Sequence, residues 1–329
     1  MIDDTLILVA SPFQALNAIM AVKEFNINDP VFFIIGNDLS SEMTRKFVCK
    51  YGYTYRRIGI AKTAIETLRH SREYNKFKRI IVGDYFSIPF FLMSLVLIAR
   101  GGHIIYVDDG NSTLSLLPPV SRKRLTFKKY SKQIFYKLLT IYKKSKHISR
   151  SFFTFYDVED KGFPLPIIKN TLSRIRQGVN KSLTNIYIIG TNTHQLQIQK
   201  TEYISQLERI SKYIKVAYPE HDLFYCPHRR DLNQYDSDCK RLGIYLYNTE
   251  MSVEIDFITD KIYPKAVIGF GSTALLTLKC MFPKSNIIDL VFHHADETLV
   301  KEYRAIELEY KSKGINVVEL NDLCSIIAH

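Results

Sequence analysis

Short apolar runs alternate with stretches of helical periodicity along the first part of the chain. The runs have the length of buried strands in a parallel sheet, and the stretches between them repeat apolar residues at the spacing of a helix. The predicted strands are Thr5–Ala10, Val31–Ile35, Tyr53–Ile60, Arg79–Val82 and His103–Val107. The predicted helices are Ala15–Phe25, Ser41–Tyr51, Glu66–Phe77 and Ser87–Ala99. This alternation indicates an α/β domain whose parallel sheet has helices on both faces.

The same alternation returns after a break. Prolines interrupt the chain at Phe163–Pro166, and the polar stretch that follows, to Ser182, is expected to be a connection. The later predicted strands are Ile186–Ile189, Asp222–Tyr225, Ile244–Tyr247, Ala266–Gly269 and Ile287–Leu290. The later predicted helices are Glu202–Ile214, Val253–Thr259, one that starts near Ser272, and Glu297–Lys313. We therefore predict two doubly wound domains, 1–178 and 179–329, that face each other across a central cleft.

Composition limits the class of protein. A net charge of +12 indicates an anionic partner such as nucleic acid, a membrane surface or a phosphorylated ligand. The five cysteines are scattered, so neither a disulfide framework nor a zinc site is predicted, and a reducing cytoplasm fits. The longest apolar run, Ile88–Ala99, is too short to span a bilayer. With a strand predicted from Thr5, no signal peptide is expected.

The positive charge is concentrated between Arg122 and Arg150. This segment contains many lysines and arginines and no acidic residue. Apolar and aromatic residues recur in it at helical spacing, at Phe127, Tyr130, Ile134, Leu138, Ile141 and Tyr142. Such a basic amphipathic helix favours an anionic membrane surface, and an interdomain helix with a solvated basic face is the alternative. Nucleic acid would also fit the charge, but no known nucleic-acid-binding motif accompanies it.

Two adjacent carboxylates end the fifth predicted strand. Asp108 and Asp109 follow His103–Val107, and Gly110 with Asn111 then provides a turn. The carboxyl end of a buried strand is where an α/β sheet presents side chains to a ligand. Repulsion between the two charges and a low-dielectric wall would raise one pKa, which suits a general base. A solvated turn with a helix cap is the alternative interpretation.

A histidine follows a predicted strand of the second domain in the same way. His228 is followed by Arg229 and Arg230, a combination that suits an anion such as phosphate. Gly190 likewise follows the strand Ile186–Ile189. We expect both positions to line an anion site, whereas an isolated histidine would more often be structural.

A glycine-rich turn leads from the strand Ala266–Gly269 into a helix. Gly271, Ser272 and Thr273 place hydroxyl and N–H groups at the helix N-terminus, where anions bind. Simple N-capping by Ser272 is the alternative. Glu254, which precedes this turn, is expected to bind ribose hydroxyls, although alone it would be an ordinary surface charge.

These motifs, in this order, resemble a known enzyme family. Ser11–Gln14 (SPFQ), Asp108–Gly110 (DDG), Pro227–His228 and Ser272–Thr273 are similar to the motifs of bacterial sialyltransferases. The nearest resemblance is to glycosyltransferase family 52, the lipooligosaccharide sialyltransferases, which are related to the bacterial polysialyltransferases. The resemblance implies a GT-B fold, with two Rossmann-like domains. It departs from the family at Arg229, where the family has proline after the histidine.

The resemblance also implies a reaction and roles for residues. Asp108 would be the catalytic base, and His228, Ser272 and Thr273 would bind the donor phosphate. We add Arg229, Glu254, Gly271 and Gly190 to the donor site, and Ser11, Gln14, Asp109 and Asn111 to the acceptor side. The reaction would be an inverting transfer of sialic acid from CMP-sialic acid to a hydroxyl of a cell-surface glycan. No cofactor or metal is expected, because protein groups would neutralise the single leaving phosphate.

Other functions and partners stay open on the sequence alone. The donor could instead carry Kdo, legionaminic acid or pseudaminic acid, and a non-catalytic basic protein that binds membrane or nucleic acid is the alternative of another class. We expect a CMP-sugar and a lipid-linked glycan as partners, together with an anionic membrane and no nucleic acid. A homodimer is compatible with the sequence. The expected location is cytoplasmic, peripheral on the inner face of the plasma membrane.

Overall fold

The structure is a computed structural model, and it divides the chain into two compact units, Met1–Leu172 and Ser173–His329. The predicted boundary, at residues 178 and 179, lies a few residues beyond this division. The structure describes residues 5–36, 38–58, 77–84, 87, 90, 94, 102–109, 113, 149–156, 165–172, 185–191, 193, 198–228, 231, 234–291, 307–308, 310–319 and 322. Each unit is built on its own parallel sheet.

The first unit has a seven-stranded sheet in the order β3-β2-β1-β4-β5-β6-β7, and all neighbouring strands are parallel. Its strands are β1 (Thr5–Val9), β2 (Val31–Ile35), β3 (Tyr55–Ile58), β4 (Arg79–Val82), β5 (His103–Val107), β6 (Ser149–Thr154) and β7 (Ile167–Lys169). Every residue of β1 is buried, as expected for a central parallel strand that is covered on both faces. The strand order reverses between β1 and β4, where α/β sheets bind ligands.

Two helices of this unit have clear sequence signals. Helix α1 (Pro12–Glu24) begins three residues before the predicted start at Ala15, because the Ser11 hydroxyl caps it by accepting the Gln14 N–H at 3.2 Å and proline follows the cap. Helix α2 (Leu39–Lys50) begins after Asp38, whose carboxylate accepts the Ser41 N–H at 3.0 Å. Helix α1 is buried along most of its length, which makes its first turn a rigid platform.

The second unit repeats the arrangement with six parallel strands in the order β10-β9-β8-β11-β12-β13. The strands are β8 (Ile186–Ile189), β9 (Leu223–Cys226), β10 (Tyr245–Leu246), β11 (Ala266–Gly269), β12 (Asn286–Val291) and β13 (Asn316–Glu319). The helices are α3 (Lys200–Ala217), α4 (Asp236–Leu242), α5 (Val253–Thr259) and α6 (Thr273–Met281). Side chains of α3, including Tyr203 and Leu207, pack on the sheet in one buried cluster.

Four elements were not predicted from the sequence: β6, β7, β13 and α4. Strand β6 includes Arg150, so the predicted basic helix does not extend to that residue. Residues 122–148 of that segment lie outside the described residues. Strand β7 lies in the stretch expected to be a connection, and its three residues are too few for a pattern. No helix among the described residues is long and apolar enough to cross a membrane.

Candidate functional site

The carboxyl group of Asp108 is fully enclosed at the end of β5. Its Oδ1 accepts the Thr154 hydroxyl at 2.7 Å, and its Oδ2 accepts the Phe155 N–H at 3.0 Å. The residue is 0% exposed. Both carboxylate oxygens are therefore used to join β5 to the end of β6, a strand that lies beside it in the sheet.

Burial dominates the titration of Asp108. It raises the pKa of this carboxyl to about 7, while the hydrogen bonds from Thr154 and Phe155 and the positive charge of Lys169 act in the opposite direction. A pKa near neutrality alone would suit a base. The enclosed position, however, leaves no oxygen facing a substrate, and the role of base that the resemblance implies for Asp108 is not favoured by this geometry.

The carboxyl group of Asp109 is placed differently. It is partly exposed, and its Oδ1 accepts the Gln14 side-chain amide at 2.9 Å. The same amide group is fixed in turn, because Gln14 Oε1 accepts the Ala10 N–H at 2.7 Å. The Gln14 side chain fits here because residue 83 is a glycine: a Cβ on Gly83 would lie 2.7 Å from the Gln14 Cβ. Ser11 caps α1 by accepting the Gln14 N–H, and the Gln14 side chain donates to Asp109. The predicted acceptor-side residues Ser11, Gln14 and Asp109 are therefore brought together.

The Asp109 carboxyl also titrates near neutrality. Burial, aided by the negative charge of Asp84 and opposed by the hydrogen bond from Gln14, raises its pKa to about 6. Among the described residues, Asp109 Oδ2 has no hydrogen-bond donor. A carboxyl with a pKa of about 6, one oxygen fixed and the other without a donor from the described residues, has what a general base needs.

Two asparagines support this end of the sheet and were not identified from the sequence. The Asn17 amide donates to the Asp108 backbone carbonyl at 3.4 Å, and Asn170 donates to Asn17 Oδ1 at 3.3 Å. Asn170 Oδ1 accepts the Leu172 N–H at 3.1 Å, and Leu172 has a positive φ of 52°. In the sequence, the closeness of Asn17 to the SPFQ motif was the one signal that could have drawn attention to Asn17. No signal pointed to Asn170, because it follows the unpredicted strand β7.

In the second unit, the carboxyl ends of β8 and β9 lie against each other. Gly190 donates its N–H to the Cys226 carbonyl at 2.8 Å. A Cβ on Gly190 would lie 2.7 Å from the His228 backbone nitrogen and 2.9 Å from the Cys226 carbonyl oxygen. The predicted residues Gly190 and His228 are thus adjacent. This close backbone approach requires a glycine at position 190, and its expected place in the donor site stays a prediction.

The glycine-rich turn lies at the end of β11, which neighbours β8 in the sheet. Gly271 has a positive φ of 61° and donates its N–H to Asp289 Oδ1 at 2.6 Å. Ser272 is at the N-cap position of α6, but its side chain makes no capping hydrogen bond. The interpretation of Ser272 as a simple cap is therefore wrong. Ser272 is partly exposed and Thr273 exposed, so both hydroxyls remain available to an anion.

Asp289 lies beneath this turn and was not identified from the sequence. It is 3% exposed, and burial raises its pKa to about 7, with the charge of Glu307 adding to the shift and the Gly271 N–H opposing it. The turn is fixed on its other side by Tyr310, whose hydroxyl donates to the Ser272 carbonyl at 2.7 Å. Two groups distant in sequence therefore hold the shape of the turn.

The remaining predicted residues are less favourably placed or are not described. Glu254 lies in the first turn of α5, where it is 6% exposed and burial raises its pKa. Because its carboxyl is inside the protein, the expected contact with ribose hydroxyls is not favoured. Asn111 and Arg229 lie outside the described residues. No group of three or more His, Cys, Asp or Glu in the part of the chain that the structure describes could hold a metal ion.

The raised pKa of Asp289 gives a prediction about stability. The folded protein binds this proton more tightly than the unfolded chain does, so the carboxyl destabilises the fold as pH rises from about 4 to about 7, by at most about 1.4 kcal/mol per pH unit. Asparagine can keep the acceptor for Gly271 without the charge. We expect Asp289→Asn to unfold at higher denaturant concentration than wild type at pH 8, with the difference shrinking as the pH falls and vanishing near pH 4. An equal difference at both pH values would contradict the buried charge.

Comparison with known proteins gives structural but no sequence matches. No protein-family model matches the chain, and no curated protein sequence matches it. The sialyltransferase from Photobacterium damsela has 13% identity and a TM-score of 0.54, with 96% of this chain and 81% of that chain covered.

Two further structures are similar over most of their length. MurG of Acinetobacter baumannii has 8% identity and a TM-score of 0.50, with 99% of this chain and 90% of that chain covered. UGT2 of Phytolacca americana, complexed with UDP-2-fluoro-glucose and pterostilbene, has 8% identity and a TM-score of 0.53, with 98% and 89% covered. At these identities the comparisons show the fold, and the predicted GT-B class is confirmed. Membership of glycosyltransferase family 52 stays a prediction.

Proposed function

We propose that this protein is a glycosyltransferase that moves sialic acid from CMP-sialic acid to a hydroxyl group of a cell-surface glycan. The observation that carries the proposal is the Asp109 carboxyl, which is fixed by Gln14 through one oxygen and has a pKa of about 6. The GT-B fold and the likeness to a sialyltransferase of Photobacterium damsela support it. The order of the sequence motifs supports the choice of a CMP-linked donor.

The proposed reaction is a single displacement with inversion. The acceptor hydroxyl gives its proton to Asp109 Oδ2 while its oxygen bonds to the anomeric carbon of the donor. The bond from that carbon to the phosphate oxygen breaks, and CMP leaves with the electron pair. Charge grows on the phosphate in the transition state, where the Ser272 and Thr273 hydroxyls and His228 would stabilise it.

Asp109 replaces Asp108 as the base in this proposal. The resemblance implies the first carboxylate of the DDG motif, but both oxygens of Asp108 are bonded to the end of β6. Asp108 instead holds the backbone that presents Asp109. No cofactor or metal enters the reaction as proposed.

The proposed partners follow from this reaction. They are the CMP-sugar, a lipid-linked glycan acceptor and an anionic membrane surface, reached through the basic segment 122–150. We propose a cytoplasmic protein, peripheral on the inner face of the plasma membrane, where such glycans are assembled.

A thermal-shift comparison of CMP, UDP, GDP and ADP tests the donor class. A ligand that binds only the folded protein stabilises it by about 2.7 kcal/mol at 100 times its dissociation constant. We expect CMP alone to raise the melting temperature. Stabilisation by UDP or ADP would identify another donor, and stabilisation by no nucleotide would support the non-catalytic alternative.

Once CMP binding is established, a set of CMP-linked sialic acid, Kdo, legionaminic acid and pseudaminic acid identifies the sugar. We expect release of CMP to be fastest from CMP-sialic acid when a glycan acceptor is present. The anomeric configuration of the product, measured by NMR, then tests inversion. Retention of configuration would contradict the proposed single displacement.

A further inference from the structure

Asp231 joins the loops that follow β8 and β9. It is 5% exposed, and its Oδ2 accepts both the backbone N–H and the hydroxyl of Thr193, each at 3.2 Å. Thr193 follows β8, and Asp231 follows β9, so one carboxylate oxygen bridges the two strand ends. The bridge lies beside the close approach of Gly190 to His228, where a Cβ on Gly190 would be 2.7 Å from the His228 backbone nitrogen.

The bridge continues into a buried tyrosine. The Thr193 hydroxyl lies 3.0 Å from the Tyr235 hydroxyl. Because Thr193 donates its single hydroxyl proton to Asp231, the hydrogen bond between the two hydroxyls is donated by Tyr235. Tyr235 is 1% exposed and packs with Tyr203 and Tyr225 in the core of the second unit. The bridge is thereby anchored to rigid structure.

The other end of the bridge reaches His228 directly. Asp231 donates its backbone N–H to the His228 carbonyl at 2.7 Å. The peptide at His228 is therefore constrained on two sides: the Asp231 N–H binds its carbonyl, and Gly190 approaches so closely that a Cβ there would lie 2.7 Å from the His228 nitrogen. A side chain on a loop keeps a fixed position only when its backbone is fixed in this way.

We propose that Asp231 is a positioning residue for the donor site. It acts through the backbone of His228 and sets where the imidazole meets the donor phosphate. The inference rests on the proposed function for the identity of the ligand, whereas the bridge itself depends only on the contacts of Thr193, Asp231 and His228. A displacement of about 1 Å at a reacting group can cost about 10²-fold in rate, so loosening this loop has a measurable consequence.

The structure offers a substitution series that separates positioning from charge. A single oxygen of Asp231 accepts both hydrogen bonds, so Asp231→Asn can keep them through its amide oxygen, whereas Asp231→Ala loses both. We expect Asp231→Ala to lower kcat/KM for the CMP-donor by about 10–10²-fold and to leave the acceptor KM unchanged. Asp231→Asn should restore most of the activity. Thr193→Val, which removes only the hydroxyl, should fall between them.

A double substitution tests whether Asp231 acts through His228. If it does, Asp231→Ala should cost little in kcat/KM once His228 has been replaced by alanine, because the group being positioned is gone. Equal losses from Asp231→Ala in both backgrounds would overturn the positioning role. Ser211→Ala is the matched control, because it removes another buried hydrogen bond of this unit, from the Ser211 hydroxyl to the Leu242 carbonyl. That contact lies just before β10, at the opposite end of the sheet.

Amide hydrogen exchange gives a readout that needs no ligand. We expect Asp231→Ala, but not Asp231→Asn or Ser211→Ala, to speed exchange of the peptide that contains residues 226–231. Unchanged exchange in Asp231→Ala would overturn the bridge, whatever the donor is. Absence of CMP binding by the wild-type protein would instead overturn the proposed function, and with it the donor role of Asp231.

Discussion

Asp109→Asn is expected to lower turnover by about 10²–10⁴-fold, the usual contribution of a general base, while the folded state is kept. Asparagine is close in size to aspartate and can still accept the Gln14 amide through its own oxygen. The asparagine amide cannot, however, take the proton from the hydroxyl of the glycan acceptor. The rate with a CMP-linked donor and a soluble glycan acceptor, measured together with the CMP dissociation constant, should show a loss of kcat without a loss of nucleotide binding.

Asp108→Asn should give the opposite pattern. Its side chain lies between the Thr154 hydroxyl and the Phe155 N–H, so a new N–H group there meets at least one existing donor. A buried donor left without an acceptor costs about 1–3 kcal/mol. We therefore expect a lower melting temperature and turnover that follows the folded fraction. A large loss of turnover in Asp108→Asn without a loss of stability would return the role of base to Asp108.

The pH profile provides an independent test of Asp109. The carboxylate must be ionised to act as a base, so kcat/KM should rise with pH through the pKa of about 6. Gln14→Ala removes the hydrogen bond that lowers this pKa, so the rising limb should move to higher pH. A profile that is unchanged in Gln14→Ala would mean that another group controls the rate.

The sequence predicted both sheets where apolar runs were continuous. The strands β2, β4, β5, β8 and β11 have the predicted bounds, because each is a buried run ended by a turn residue or a carboxylate. Strand β6 was missed because it follows a basic segment whose aromatics recur at helical spacing. Strand β13 was missed although Gly314, with a positive φ of 72°, separates it from the predicted helix, because only Val317 and Val318 of its four residues are apolar.

The candidate site could be located from the sequence but not completed. The motifs placed Asp108, Asp109 and His228 at strand ends, as the structure has them. Which of the two carboxylates faces inward depends on Thr154 and Phe155, which belong to the end of β6. The roles of Asp231 and Asp289 could not be predicted for the same reason. They depend on contacts with Thr193 and Gly271, which follow other strands. Such pairings are tertiary, and no local pattern encodes them.

Replacement of His228, which follows β9, is expected to have the second large effect on catalysis. We expect His228→Ala to lower kcat/KM for the CMP-donor by about 10²–10³-fold, the usual loss when one group that stabilises transition-state charge is removed. His228 is partly exposed and follows Pro227 directly, while its backbone is held by Asp231. The substitution should therefore remove the imidazole without moving the loop, and the acceptor KM should stay near the wild-type value.

The same strand supplies a matched control. His221 precedes β9 at its other end, where its ring contacts Tyr218 with a centroid distance of 6.1 Å. If the loss in His228→Ala comes from the donor phosphate, His221→Ala should keep wild-type turnover and CMP affinity. Equal losses in the two variants would point to a general effect on strand β9. A loss that is confined to His228→Ala, and that appears with the CMP-sugar donor while acceptor binding is unchanged, would place the imidazole at the leaving group.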